Sequence, residues 1–378
     1  IGVRVAQGPL DNRKRTLPPL RRTAGTTRLM GNENMRFGFW PNPRSDYEST
    51  KILAQHAEAT GWDGIWLADH FLPEEDALSA AVCGSRSPLP SPGRAETCIL
   101  ISAGDDLFVV DIGDGSNQNL RSWNIDFSDI QAVLITHLHS DHIADLPGLH
   151  QNAWVVGERS SKLKVYGPEG VDQFTQGIEM AYAHDYVFRN EHHGDAIAPL
   201  EYAGFDTSVI DLNNPVIFDN GQLKITAFRV VHEPIEPALG FKFEYKGRSL
   251  VITGDTSYTQ SVIDNSMNVD VLFHEAQANH MLAVMEKSLM SRGAELLATV
   301  LDDITTYHTT LVEAAEIANE ANVKKLFFYH LTPAPRNYIQ EIMFVRGVDQ
   351  VRKEWTLVED GTLVILPVGS EEIIVTNM

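Results

Sequence analysis

The chain has 378 residues with 51 Asp and Glu against 30 Lys and Arg, a formal charge of −21 at pH 7. That imbalance argues against an extended nucleic-acid footprint, which is built from Lys and Arg, while leaving room for a small local patch. With 43% hydrophobic and 21% charged residues the composition is that of a globular protein. Its apolar runs, such as Leu107–Val110 and Ala132–Ile135, are strand-sized and well short of the roughly 18 residues that a membrane span needs.

Residues 1–34 are rich in Arg, Pro, Gly, Thr and Asn with little periodicity, and are expected to form a disordered or poorly packed lead-in. Their basic residues are not followed by an apolar stretch, so no secretory leader is expected. Residues 35–73 change character: "MRFGFWPNP" predicts a strand and turn, "DYESTKILAQHAEATG" a helix with a Gly stop, and "WDGIWLAD" a second strand. This stretch resembles the opening βαβ unit of the luciferase-like monooxygenases, flavin- or deazaflavin-dependent barrels. A barrel needs roughly 250 residues to close. The resemblance stops after about 40, so residues 35–77 are expected to be an accessory fragment and no flavin is expected.

From residue 78, "AAVCGSRSPLPSPGRAETCILISAGDDLFVVDIGDGS" predicts strand, Pro/Gly loop, strand, turn, strand. Cys83 and Cys98 are too few for a disulfide framework, which fits a reducing, cytoplasmic setting. Further on come a helix over 310–321 and a strand over 324–331. The tail "WTLVEDGTLVILPV" predicts a hairpin turning near Asp360-Gly361. The alternation describes an α/β domain over 78–378, large enough to bury a substantial core.

Within it, "AVLITHLHSDHIADLPGLH" packs His137, His139, Asp141 and His142 into six residues where a buried strand gives way to a helix. Composition alone would produce H-x-H-x-D-H about once in a thousand such chains. Strand ends are where open α/β sheets bind ligands. Imidazole suits zinc, and a carboxylate adds the negative charge that favours a harder ion such as iron or manganese. Four ligands so close in sequence fit two neighbouring metals better than one tetrahedral ion. Further metal-capable groups follow other strand-like runs: His232 in "FRVVHEPIEPALGF", Asp255 in "SLVITGDTSY" and His330 in "LFFYHLTP".

Together with the Asp in "VVDIGDGS", these segments resemble the successive motifs of the metallo-β-lactamase superfamily over residues 80 to about 370. The resemblance implies an αββα sandwich holding two Zn2+, with iron or manganese as an alternative at one position. It implies that His137, His139 and His232 hold one metal, that Asp141, His142 and His330 hold the other, and that Asp255 bridges them. Asp111 would orient the ligand loop through hydrogen bonds. "DVLFHEAQA" and "TTYHTTLVEAAEIA" are similar to the H-E-A and H-S-T signatures of ribonuclease Z, and "LKVYGPEGVDQF" to a further segment of that family. By that likeness His308 assists proton transfer at the scissile phosphate and Glu275 orients it.

The implied chemistry is attack by a bridging hydroxide, with Asp141 accepting the water's proton and His308 donating to the leaving oxygen. No Ser or Cys stands in a nucleophile motif. The expected function is a ribonuclease Z-like phosphodiesterase acting on a small-molecule or short nucleic-acid substrate, away from membranes and as a homodimer. β-Lactamase, arylsulfatase or lactonase activity is the alternative. The sequence also departs from the family. Many ribonuclease Z proteins carry a long basic arm between the equivalents of His232 and Asp255, whereas here 22 residues intervene, filled by a predicted simple hairpin, "LGFKFEYKGRSLVITG". An insertion over 279–303 carries Met281, Met285 and Met290 at helical spacing, expected to pack into the core rather than form a lid, with His280 at its start. His192 and His193 are expected in an exposed loop.

Overall fold

The computed structural model describes residues 76–157 and 159–378, together with two paired dipeptides, β1 (Gly38–Phe39) and β2 (Gly64–Ile65), which run parallel. The chain divides into two compact units, Ile1–Asp69 and His70–Met378. The expected lead-in over 1–34 and helix over 46–61 lie outside the described residues.

In the larger unit the first run of strands is β3 (Ala77–Gly84), β4 (Cys98–Ala103), β5 (Asp106–Val110), β6 (Ile130–Leu134), β7 (Leu163–Gly167) and β8 (Phe205–Val209). There follow β9 (Val216–Asp219), β10 (Leu223–His232), β11 (Ile235–Tyr245), β12 (Arg248–Ile252), β13 (Val271–Gln277), β14 (Lys325–Thr332) and β15 (Trp355–Leu357). The chain closes with β16 (Thr362–Pro367) and β17 (Ile374–Asn377). One sheet has the order β17-β16-β3-β4-β5-β6-β7-β8 and the other β15-β14-β13-β12-β11-β10-β9.

The helices are α1 (Ser116–Ser122), α2 (Ser140–Ile143), α3 (Leu146–Gln151), α4 (Val171–His193) and α5 (Gln260–Asn265). After them come α6 (Asn279–Met290), α7 (Glu295–Asp303), α8 (Leu311–Glu320), α9 (Tyr338–Phe344) and α10 (Val348–Val351).

Strand alternation builds the layers, because successive side chains point to opposite faces. Ile99 and Ile101 of β4 and Val271 and Phe273 of β13 share one buried cluster between the sheets. Their neighbours turn outward: Leu100 joins Leu120, Leu149 and Ile178 under α1, α3 and α4. Leu272 joins Val262, Leu311 and Phe344 under α5, α8 and α9. Strands covered on both faces read as unbroken apolar runs. The result is the expected αββα sandwich. The helix predicted over 310–321 begins with a capping box, in which the Thr310 hydroxyl accepts from Glu313 N–H and the Glu313 carboxylate accepts from Thr310 N–H.

Several expectations are corrected. β15 and β16 do not pair with each other: β15 lies beside β14 and β16 beside β3, so Gly361, at φ +93°, carries the chain from one sheet to the other. The antiparallel pairing of β3 with β4 brings Cys83 and Cys98 into a disulfide with Cα atoms 4.9 Å apart. The two cysteines therefore no longer speak for a reducing compartment. No described helix is long and apolar enough to cross a membrane. His192 and His193 are exposed but form the last turn of α4 rather than a loop. Of the three methionines of α6, only Met281 packs against the core, while Met285 and Met290 are exposed. His280 turns to the Met343 carbonyl, 2.7 Å from its Nε2.

His150 shows the cost of burying an imidazole in this frame. It sits among Trp154, Tyr186 and Phe205, and its Nε2 accepts from Gly204 N–H at 2.9 Å. Burial holds its pKa down at about 4. The unfolded imidazole, near 6.5, protonates first as the pH falls, so stability present above that value drains away toward 4. In His150→Gln, whose amide oxygen still accepts the N–H, urea denaturation should show roughly 2 kcal/mol less loss between pH 7 and 5 than in the wild type. An equal loss in both proteins contradicts the assignment.

Candidate metal centre

The centre starts from the end of β5. Asp111 leaves the strand at φ +55°, a left-handed conformation that costs a non-glycine residue roughly 1–2 kcal/mol. Its fully buried carboxylate accepts from Thr136 N–H and the Thr136 hydroxyl, each at 2.8 Å, and from His142 Nδ1 at 2.8 Å. The Thr136 hydroxyl, already donating to Asp111, is left to accept from His137 Nδ1 at 3.1 Å. One carboxylate thus fixes the loop that follows β6 and selects the imidazole tautomers whose Nε2 is bare. His139 precedes α2, and Asp141 and His142 lie in its single turn. The helix expected after that strand is two short ones, because Pro147 stands in the first turn of α3.

The remaining candidate ligands arrive from the second sheet. His232 ends β10 and donates through Nδ1 to the Tyr307 carbonyl at 3.1 Å. Asp255 follows β12 through Gly254, at φ +63°, where an added Cβ would lie 2.6 Å from the Leu239 carbonyl oxygen. His330 lies within β14, not after it. Its φ of +47° and the register shift opposite Glu275 and Ala276 re-aim the side chain.

These seven side chains meet at one end of the sandwich. His139 Nδ1 lies 2.9 Å from His137 Nε2 and 3.3 Å from His232 Nε2, with Asp255 Oδ2 at 3.9 Å from both of the latter. In the second group Asp141 Oδ2 is 3.5 Å from His142 Nε2 and 3.1 Å from His330 Nε2. The same Asp255 Oδ2 is 3.4 and 3.3 Å from those nitrogens. Zinc bonds of about 2.0–2.1 Å in a tetrahedron give ligand–ligand edges of about 3.3 Å, and the observed separations scatter around that value. His142 Nε2 and Asp255 Oδ1 are buried without a hydrogen-bond partner, an expensive state that a cation relieves. The donors present therefore fit a metal site: His137, His139, His232 and Asp255 form one group, Asp141, His142 and His330 another, and Asp255 also lies 3.4 and 3.3 Å from two nitrogens of the second.

Charge supports the fit. Burial holds the imidazoles of His137, His139 and His232 below their ordinary range, keeping their lone pairs free. Burial works the same way on His142, but Asp255, Asp141 and Asp111 outweigh it and the net shift is upward. Burial raises Asp255, yet His330 and His142 hold it well below the usual carboxylate range.

Beside the cluster, His308 Nδ1 donates to Glu275 Oε1 at 2.9 Å, and the same oxygen accepts from Thr256 N–H and Thr309 N–H. Burial alone would depress His308, but the Glu275 carboxylate pushes it up to about 9. A ring nitrogen of His308 lies within 4.8 Å of the ligating atoms of Asp255 and His330. All nine predicted site residues, with Asp111, are thus gathered in one place. Sequence reasoning passed over Thr136 and Tyr307, whose only signal was adjacency to His137 and His308.

The family described as the Beta-lactamase superfamily domain matches residues 97–331. Ribonuclease Z of Mycobacterium bovis (strain BCG / Pasteur 1173P2) is 31% identical over 259 residues, covering 68% of this chain and 87% of that protein. The Mycobacterium marinum ribonuclease Z is 30% identical over the same shares. Among solved structures, the metallo-β-lactamase fold protein YhfI from Bacillus subtilis covers 77% of this chain and 100% of its own at a TM-score of 0.56 and 21% identity. The short form of human tRNase Z gives 0.51 at 22% identity, covering 76% of this chain and 99% of its own. Those two likenesses concern the fold alone. On family match and sequence identity together, the chain is a hydrolase of the metallo-β-lactamase superfamily and belongs to its ribonuclease Z-like branch.

Proposed function

We propose that the protein is a metal-dependent phosphodiesterase acting on a short single-stranded nucleic acid or a small phosphodiester. The observation that carries this reading is the pairing of two ligand groups through Asp255 with a charged His308–Glu275 couple beside them. His137, His139 and His232 would hold one zinc ion, Asp141, His142 and His330 would hold a second, and Asp255 would contact both. Zinc bound there would make an attacking water acidic near neutral pH and supply counter-charge for the phosphoryl oxygens.

The chain's own groups do the rest. Asp141 takes the proton of the attacking water. Glu275 holds His308 through Nδ1, so the proton on the other ring nitrogen is free to pass to the leaving oxygen. No covalent intermediate is required. A small substrate is supported by the connection between His232 and Asp255, where β11 and β12 form the predicted short hairpin, and by the −21 charge. The relatives named ribonuclease Z support the phosphodiester bond as the target.

Zinc-loaded protein should hydrolyse bis(p-nitrophenyl) phosphate, lose that activity on chelation and leave a chromogenic cephalosporin intact. Cephalosporin opening without diester cleavage contradicts the reading and points to a β-lactamase. His308→Ala should retain its metal and slow diesters with poor leaving groups by about 10²-fold or more, but good ones far less. Equal slowing across a leaving-group series removes His308 from the acid role.

A further inference from the structure

The metal centre has one open side. His137, Asp141, His142, His232, Asp255 and His330 are buried, whereas His139, Tyr307 and His308 retain partial exposure. Among the described residues, Tyr307 is the one ring other than an imidazole packed on the cluster. Its centroid lies 5.2 Å from that of His232 at 74° and 4.9 Å from that of His308 at 44°.

The backbone beneath it is anchored at several points. The Tyr307 carbonyl accepts from His232 Nδ1. Gln277 spans the segment, donating through Nε2 to the Ile304 carbonyl at 3.0 Å and through its N–H to the Thr309 carbonyl at 3.0 Å. Burial, with Asp303, Asp255 and Asp141 nearby, pushes the phenol upward, so the ring is neutral. No described Lys or Arg pairs with Asp111, Asp141, Asp255 or Glu275. On the open side, next to the charged His308, Tyr307 therefore offers an uncharged ring. An anchored aromatic side chain with two rotatable bonds offers stacking area at low entropic cost.

We propose that Tyr307 is a specificity-determining residue: the exposed part of its ring stacks on a planar ring borne by one substituent of the phosphate ester, a nucleobase or an aryl group. The assignment rests on the phosphodiesterase reading and narrows it to ring-bearing esters. It gives the insertion over 279–303 a place in recognition, since α7 leads through the turn Ile304–Thr306 directly into Tyr307.

The test is calorimetric binding to the zinc-loaded protein of three probes: adenosine 5′-monophosphate, phenyl phosphate and ribose 5-phosphate. A ring-bearing probe should bind about tenfold more tightly than ribose 5-phosphate to the wild type and to Tyr307→Phe. In Tyr307→Ala that increment should vanish while ribose 5-phosphate binds as before. An increment for adenosine 5′-monophosphate alone assigns a nucleobase, and one for phenyl phosphate alone an aryl group. An increment that survives in Tyr307→Ala, or is absent from the wild type, overturns the stacking role and leaves the phosphodiesterase reading intact. If none of the three binds, both fail together.

Discussion

Six buried side chains and one half-buried one point their bare nitrogens and carboxylate oxygens at one another across 2.9–3.9 Å, and the whole architecture answers to that constraint. Lone pairs so close together, away from water, repel unless a proton or a cation lies between them. Protons satisfy part of the need, since Asp255 and its imidazole neighbours attract. Even so, His142 Nε2 remains without a hydrogen-bond partner. A bound cation would relieve the arrangement, whereas hydrogen bonds alone leave atoms over.

Holding such a cluster together takes a rigid frame. Both sheets contribute: one supplies the Asp111 corner and the His137–His142 loop, the other His232, Asp255 and His330. The inter-sheet core between them, from Leu78 to Phe327, sets their separation. At the centre the backbone leaves its ordinary conformation at the candidate ligands and their immediate supports, with Asp111, Gly254 and His330 all at positive φ. That strain is spent on aiming side chains. Asp111 is the hinge of the account: a single carboxylate fixes Thr136 and His142, and through Thr136 the tautomer of His137.

Much of the site was legible because its residues cluster in sequence or follow apolar runs that can only be buried strands. "THLHSDH" and the isolated His232, Asp255 and His330 share that grammar, and resemblance to a known motif order joined them. The features that were misread depend on long-range packing. "WTLVEDGTLVILPV" alternates as a hairpin would, yet β14 and β3 offer its halves better partners in different sheets. Cys83 and Cys98 pair only once β3 and β4 have aligned, which nothing in their 15-residue separation announces. Met285 and Met290 carry the helical period of a core stripe, but period alone does not say that a second layer covers the helix. Tyr307 escaped notice because an aromatic beside a functional His is unremarkable until the rings are seen in contact.

The measurement that tests the central claim most directly is a titration of chelator-stripped wild-type protein with zinc, followed by elemental analysis after gel filtration. Two equivalents retained per chain, with diester hydrolysis appearing as the pair of sites fills, is the result predicted by two ligand groups joined through Asp255. Retention of one equivalent or none at full activity would contradict it.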